Sequence, residues 1–181
     1  MDIPVEKPEP DSAVLWDHVE WHRLEGAMLR LETSTRARPR VLIVEDDPAT
    51  RLLYSLHLEL EGLLVLEEPD GRSGLARARA DKPDLVLTDV MMPGLDGFEL
   101  AEALRRDRRT CRIPFIFLSG EITAGHEARA HELGALAYLT KPVDVEALAS
   151  LVAGVFRPVG ERLQPPAPGD GGGVLAGDAA A

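Results

Sequence analysis

Five short apolar runs, each followed by a helix-length segment, constrain the fold of this chain more than any other feature. VLIV at 41–44 and FIFL at 115–118 are continuously apolar instead of alternating with polar residues, which indicates strands buried on both faces. Such strands occur in parallel sheets covered by helices on both sides. The sequence therefore predicts an α/β fold with a doubly wound, five-stranded parallel sheet. The predicted strands are 41–44, 63–67, 85–88, 115–118 and 137–139, and the predicted helices are 48–61, 71–80, 97–107, 123–133 and 143–156.

Composition divides the chain into four parts. Residues 1–11 carry three prolines and are predicted to be disordered, and residues 158–181, rich in Gly, Pro and Ala, are predicted to form a flexible tail. Residues 12–39 are predicted to be an extra N-terminal helix, ending near Glu32, and a polar linker; residues 40–157 form the α/β domain. The helix has an apolar stripe, so it could pair with a second copy, pack on the fifth helix of the α/β domain, or stay exposed. The stripe consists of Val14, Trp21, Leu24, Met28 and Leu31.

The charge and the cysteine content exclude several classes of function. The chain has 31 Asp and Glu against 20 Lys and Arg, and its net charge of −11 disfavours direct binding to nucleic acid or to an anionic membrane surface. One cysteine, Cys111, permits no internal disulfide. No apolar run approaches the roughly 20 residues of a membrane span, and the N-terminus does not resemble a signal peptide. We expect a soluble, cytoplasmic protein without a nucleic-acid or membrane partner.

Polar residues follow four of the five predicted strands at the point where each strand ends. Glu45 and Asp46 follow the first strand, Asp89 the third and Ser119 the fourth, and the fifth runs into Lys141. The carboxyl ends of parallel strands face one crevice, where ligands bind in open α/β sheets. We therefore expect these five side chains to share one pocket.

The residue types in this predicted pocket indicate phosphoryl chemistry. Carboxylates that share a cleft repel one another unless they share a cation, and hard oxygen ligands suit Mg²⁺. A lysine ammonium and a serine hydroxyl can hold phosphoryl oxygens, and a carboxylate beside the metal can itself be the nucleophile. No Gly-rich phosphate loop is present, which disfavours a bound nucleotide. The sequence predicts phosphoryl transfer to an aspartate from a donor protein or a small phosphodonor.

Four motifs resemble the receiver domain of two-component response regulators, and in particular the stand-alone, chemotaxis-regulator-like members. They are VLIVEDDPATR at 41–51, LVLTDVMMPGLDGFEL at 85–100, FIFLSG at 115–120 and AYLTKP at 137–142. Their order and separations are similar to those of the family. The resemblance implies a flavodoxin-like strand order of 2-1-3-4-5.

The resemblance also implies a metal-binding set. Asp89 would be the phosphoacceptor and would bind Mg²⁺ together with Asp46, while Glu45 would act through a water molecule. The backbone carbonyl of Met91 would complete the protein ligands. Asp47, which precedes a proline, is predicted instead to cap the following helix.

A second set of residues is implied to respond to phosphorylation. Lys141 would pair with the phosphoryl group, across a Lys141–Pro142 peptide bond expected to be cis. Ser119 would turn to hydrogen-bond a phosphoryl oxygen, and Tyr138 would move inward with it.

The implied function is that of a single-domain response regulator and not a turnover enzyme. A histidine kinase or phosphotransfer protein would phosphorylate it, and it would signal by contact with a downstream protein effector. The fourth helix, expected to offer Ala124, Ala128 and Leu133 to the core, would shift, and a free apolar side of the fifth helix would be an output or homodimer surface. One alternative is a phosphorylation-independent scaffold or dimerisation module. Another, a phosphohydrolase of related fold, would need a carboxylate where the chain has Met91.

Overall fold

The computed structural model describes residues 38–121 and 123–156, and these form the predicted α/β architecture. The sheet has five parallel strands in the order 2-1-3-4-5, which confirms the predicted topology. The elements in chain order are β1 (Arg40–Val44), α1 (Pro48–Leu60), β2 (Leu64–Glu68), α2 (Gly71–Asp81), β3 (Leu85–Asp89), α3 (Gly97–Arg106), β4 (Phe115–Ser119), α4 (Ala124–Leu133), β5 (Ala137–Thr140) and α5 (Val145–Val155). The predicted disordered segment, N-terminal helix and tail lie outside the described residues, as does most of the linker.

Every predicted strand and helix of the domain is present, with small differences at the ends. Strands β3 and β4 each extend one residue beyond their predicted ends, because Asp89 pairs with Leu118 and Ser119 pairs with Thr140 in the parallel ladders. The two polar side chains are thus held by the sheet itself. Among the described helices, none is both long and apolar enough to cross a lipid bilayer.

The first helix begins immediately beyond β1 because its N-terminus is capped. The Asp47 side chain accepts a hydrogen bond from the Thr50 amide, and Pro48 occupies the first helical turn, as predicted. The cap leaves only Glu45 and Asp46 between the strand and Asp47. Two consecutive acidic residues are therefore held at the strand end.

The apolar residues form one layer on each face of the sheet. Tyr54 and Leu58 of α1 and Val152 of α5 belong to one layer. Phe98 of α3 belongs to the other, together with residues of α2 and α4. Strands β1, β3 and β4 contribute buried residues to both layers, which explains why their sequences are continuously apolar.

Two predictions about helix faces are wrong, the first only in part. In α4, Leu133 packs against the core as predicted, but Ala124 and Ala128 are exposed and Ala130 is the buried residue. In α5, the residues from Leu148 to Val155 are buried apart from Ser150, so little of the expected free apolar side is exposed. The helix packs against α1 as well as against the sheet. These two contacts bury the apolar residues that were expected to remain free for a partner.

The start of α3 requires a glycine next to the functional strand end. A Cβ atom at Gly97 would overlap the Asp89 carbonyl oxygen and lie 2.9 Å from the Val90 Cα. Because both neighbours are backbone, Gly97→Ala is expected to lower the free energy of unfolding by about 2 kcal/mol, the usual cost of overpacking. Urea unfolding measures this change. Gly120→Ala is the matched control, since its Cβ would meet nothing within 4 Å; equal losses in the two variants would contradict the steric explanation.

Candidate functional site

The sheet brings the five predicted site residues to one edge. The Glu45 amide donates to the carbonyl of Glu68, which extends the β1–β2 ladder past the end of β1. Asp89 and Ser119 are the last residues of β3 and β4, and the Lys141 amide donates to the Ser119 carbonyl at 2.7 Å. Four of the five residues are therefore positioned by backbone pairing at the carboxyl end of the sheet, and Asp46 directly follows Glu45.

Glu45, Asp46 and Asp89 form a compact acidic cluster in which one carboxylate oxygen from each lies within 4.8 Å of the others. Glu45 and Asp89 are 2% and 6% exposed, whereas Asp46 is open to solvent. Three carboxylates at this separation form a hard-oxygen donor set that fits a divalent cation such as Mg²⁺. The open side at Asp46 is the one by which an ion or a phosphodonor can enter.

Lys141 bridges the two buried carboxylates. Its Nζ donates to Glu45 Oε2 at 2.7 Å and to Asp89 Oδ2 at 2.6 Å. Burial by itself would lower the pKa of Lys141, but the hydrogen bonds and charges of Asp89 and Glu45 outweigh it and raise the pKa above its ordinary value. The lysine is therefore a fixed cation beside Asp89, and the Lys141–Pro142 peptide bond that follows it is cis, as expected.

Ionisation of the Glu45 carboxyl is less favourable in the folded protein than in the unfolded chain. Burial is the main reason that the pKa of this carboxyl is raised, and the charge of Asp89 adds to the rise, while Lys141 opposes it. As pH increases above about 4.5, the carboxyl of the unfolded chain loses its proton more readily than the carboxyl of the folded protein. In the absence of a metal, the ionisation of Glu45 therefore makes the fold less stable as pH rises.

Glu45→Gln should remove this pH dependence. In EDTA, the free energy of unfolding of the variant is expected to gain on that of the wild type as pH rises from 4.5 to neutrality, because the variant has no carboxyl to ionise there. Urea unfolding at a series of pH values measures the difference. Glu132→Gln, which removes an exposed carboxyl on α4, controls for the loss of a carboxyl outside the pocket. A Glu45→Gln variant that loses stability against the wild type over this range would contradict the interpretation.

The chain following Asp89 orients its carboxylate. The Met91 amide donates to Asp89 Oδ1 at 3.0 Å, and Lys141 holds the other oxygen. The Met91 side chain is 57% exposed and stands beside the pocket. Asp89 thus has both oxygens fixed before any ligand binds, while the Met91 carbonyl remains only a predicted ligand.

Ser119 and Tyr138 converge on the backbone of Glu121. The Ser119 hydroxyl donates to the Glu121 carbonyl at 3.1 Å and accepts from the Glu121 amide at 3.2 Å, while the Tyr138 hydroxyl donates to the same carbonyl at 2.7 Å. Tyr138 is buried, with its ring 6.5 Å from that of Phe117. In this structure the ring lies inside, where the Glu121 carbonyl gives its hydroxyl a partner, and the response of Tyr138 to phosphorylation stays a prediction.

Sequence reasoning missed two contacts that shape the pocket. One is the Glu121 carbonyl, whose role depends on a loop conformation that no side-chain pattern indicates. The other is Arg51, whose Nη1 donates to the Glu45 carbonyl at 2.6 Å. Arg51 lies within the first motif and in the first turn of α1, but no spacing in the sequence indicates that its side chain folds back to the strand end.

Comparison with known proteins gives a family for this arrangement. The family model of the response regulator receiver domain matches residues 41–153, more than half of the chain. Protein PilH of Pseudomonas aeruginosa is 40% identical over 117 residues, which cover 65% of this chain and 97% of that protein. The structure of the Vibrio cholerae chemotaxis protein CheY4 superposes with a TM-score of 0.62 at 31% identity, covering 66% of this chain and 99% of that one.

Longer proteins also contain the matching region. The DNA-binding dual master transcriptional regulator RpaA of Synechocystis sp. is 41% identical over 119 residues, or 66% of this chain. The chain spans about half the length of this relative and of several others that it matches. The similarity therefore concerns the α/β domain.

Proposed function

The chain belongs to the response regulator receiver domain family, and we propose that it accepts a phosphoryl group on Asp89 from a histidine kinase or phosphotransfer protein. It then signals by contact with a downstream protein effector in the cytoplasm. The observation that supports this most strongly is the contact of Asp89 with Lys141 at 2.6 Å, inside a cluster of three carboxylates. In this arrangement one carboxylate is the nucleophile and the cation holds the incoming phosphoryl group.

Mg²⁺ is the proposed cofactor, held by Asp46 and Asp89 with Glu45 acting through a water and the Met91 carbonyl as a further ligand. When bound, it supplies positive charge that screens the phosphoryl oxygens from the carboxylates. The donor set fits this ion because its members are all hard oxygens.

The transfer itself requires one bond to form and one to break. A carboxylate oxygen of Asp89 attacks phosphorus to form an acyl phosphate, and the phosphorus–nitrogen bond of the donor phosphohistidine breaks. The bonding electrons leave with the imidazole, which takes a proton from solvent. Lys141 then contacts a phosphoryl oxygen in place of the carboxylate oxygen that it holds in the structure.

The proposed response to phosphorylation begins at Ser119. Its hydroxyl must leave Glu121 to reach a phosphoryl oxygen, and this removes two hydrogen bonds from the loop that leads to α4. Helix α4 has one buried residue, Ala130, so its position depends on few apolar contacts. We infer that the loop and α4 carry the signal to the protein partner. In this role the domain is a phosphoacceptor, not a turnover enzyme.

Intact-protein mass spectrometry after incubation with phosphoramidate tests the proposal. With Mg²⁺ present, the full chain is expected to gain the mass of one phosphoryl group; with EDTA it is expected to gain none. A folded protein that gains no mass with Mg²⁺ would instead favour the phosphorylation-independent scaffold, which the family membership does not favour.

A further inference from the structure

Helix α1 exposes four leucine side chains on the side opposite the core. Leu52, Leu53 and Leu56 are 54%, 43% and 49% exposed, and Leu60 is 83% exposed. Surface helices ordinarily place polar residues on the side away from the core, while a line of large apolar residues indicates that something covers it. We call these four residues the α1 leucine patch.

The α1 leucine patch is separate from the buried side of the helix. Tyr54, Ser55 and Leu58 are the buried residues of α1. Residues 52, 56 and 60 follow one another at intervals of four, with residue 53 beside them, so the patch runs along almost the whole helix. A partner that covers it must be elongated and apolar along one side, which is the shape of an amphipathic helix.

The chain enters the α/β domain next to the C-terminal end of this patch. Arg38 donates from Nε to the Gly62 carbonyl at 3.0 Å and from Nη2 to the Leu63 carbonyl at 2.8 Å, and the Leu64 amide donates to the Pro39 carbonyl. The carbonyls of Gly62 and Leu63 belong to the turn that directly follows α1. The segment that precedes residue 38 is therefore attached beside Leu60, the most exposed leucine of the patch.

The preceding segment has the sequence that such a surface requires. Residues 12–32 are predicted to form a helix with a stripe at spacings of three and four, apart from a gap at Asp17, and only residues 33–37 separate it from Arg38. A helix of that length spans about 31 Å, and α1 spans about 20 Å. Five extended residues reach about 17 Å, enough to turn the chain back along α1.

We propose that the apolar stripe of residues 12–32 packs lengthwise on the α1 leucine patch of the same chain. Both helices run towards the linker end of the domain, so they lie parallel, with Leu31 nearest Leu60 and Trp21 nearest the start of α1. This placement differs from packing on α5, which exposes little apolar surface.

The size of the patch favours a tethered segment over a second copy. A standard stable interface uses about 20–30 residues from each partner, far more than four leucines. Association of two molecules also costs translational and rotational freedom, whereas a segment held by a short linker is already at high effective concentration. The patch is therefore adequate for a segment of its own chain.

Tryptophan fluorescence tests the placement directly, because both tryptophans of the chain, Trp16 and Trp21, lie in this segment. In a full-length Trp16→Phe background, Trp21 is the only reporter. We expect its emission to be blue-shifted and protected from acrylamide, independent of protein concentration, with a monomeric mass by analytical ultracentrifugation. Leu56→Lys combined with Leu60→Lys is expected to shift the emission to the red and remove the protection.

Glu59→Lys is the matched control, since it places a lysine at an exposed position of the same helix without removing a leucine. It is expected to leave the emission unchanged, and phosphoramidate labelling checks that every variant is folded and active. Emission already at the solvent-exposed wavelength in the background protein would overturn the proposal, as would emission unaffected by the leucine substitutions. A blue shift that appears only with dimer mass would overturn it in favour of a second copy. Failure of labelling alone would bear on the proposed function and not on this packing.

Discussion

An Asp89→Asn variant is expected to gain no phosphoryl group under conditions in which the wild type is labelled completely. The amide lacks the anionic oxygen that attacks phosphorus, while its carbonyl oxygen can still accept the hydrogen bond from the Met91 amide. Lys141 keeps its contact with Glu45, so the pocket retains a partner for the cation. The variant should therefore fold and fail only in the chemical step. Intact mass after incubation with phosphoramidate and Mg²⁺ measures the outcome.

Asp47→Asn is the matched control for the loss of a nearby carboxylate. Asp47 caps α1 and is not a member of the three-carboxylate cluster, and asparagine caps helices as well as aspartate does. This variant is expected to be labelled like the wild type. Labelling of Asp89→Asn at the wild-type level would show that another residue is the acceptor and would contradict the assignment.

The strands and their order could be predicted because burial on both faces leaves a simple pattern in the sequence. Val41 to Val44 are all fully buried or nearly so, and the run of apolar residues marks the strand directly. The ends were harder to place, because Asp89 and Ser119 are polar yet continue the backbone ladder. At these positions a polar side chain interrupts the apolar run before the strand ends, so hydrophobicity alone does not identify the last residue of the strand.

Which side of a helix is buried could not be predicted equally well. Leucines occur at five positions between 52 and 60, and their spacing alone does not distinguish Leu58, which is buried, from Leu60, which is exposed. In α4, alanines occur on several sides, and only the docking against the sheet selects Ala130 over Ala128. The packing of α1 against α5 and of α4 against the sheet determines these outcomes, and both depend on contacts that are distant in the sequence.

The composition of the site was predictable because strand ends in a parallel sheet meet at one edge, but its hydrogen bonds were not. Ser119 and Tyr138 were expected to act through movement, which stays a prediction, but their shared contact with the carbonyl of Glu121 was not foreseen. Side-chain rotamers and loop carbonyls leave no periodic signal in a sequence. The structure brings the predicted residues together as expected, but their hydrogen-bond partners could be identified only from the structure.

The pocket balances two buried carboxylates with a single lysine. Glu45 and Asp89 have only 2% and 8% of their side chains exposed, and Lys141 contacts both. A pair of buried carboxylates without a cation repel each other and lack the solvation that water would supply. The same lysine that we propose as the partner of the phosphoryl group is therefore expected to stabilise the metal-free protein.

Lys141→Met should accordingly be destabilised at neutral pH in EDTA. Removing one partner of a buried ion pair leaves uncompensated charge, and we expect the free energy of unfolding to fall by about 3 kcal/mol, near the lower end of the usual range because Asp46 opens the pocket to water. Mg²⁺ should restore more stability to this variant than to the wild type, since a divalent cation can replace the missing charge. Phosphoryl transfer should fall by about 100-fold, as it does when one group that stabilises developing charge is lost.

Lys141→Arg separates charge from geometry. The guanidinium keeps the positive charge but is larger and planar, so it cannot occupy the place of an ammonium that lies 2.7 Å from Glu45 and 2.6 Å from Asp89. We expect this variant to keep most of the stability in EDTA and to lose most of the phosphoryl transfer. Urea unfolding with and without Mg²⁺, together with the rate of mass gain from phosphoramidate, distinguishes the two effects. A methionine variant as stable as the wild type in EDTA would contradict a stabilising role for the lysine in the metal-free protein.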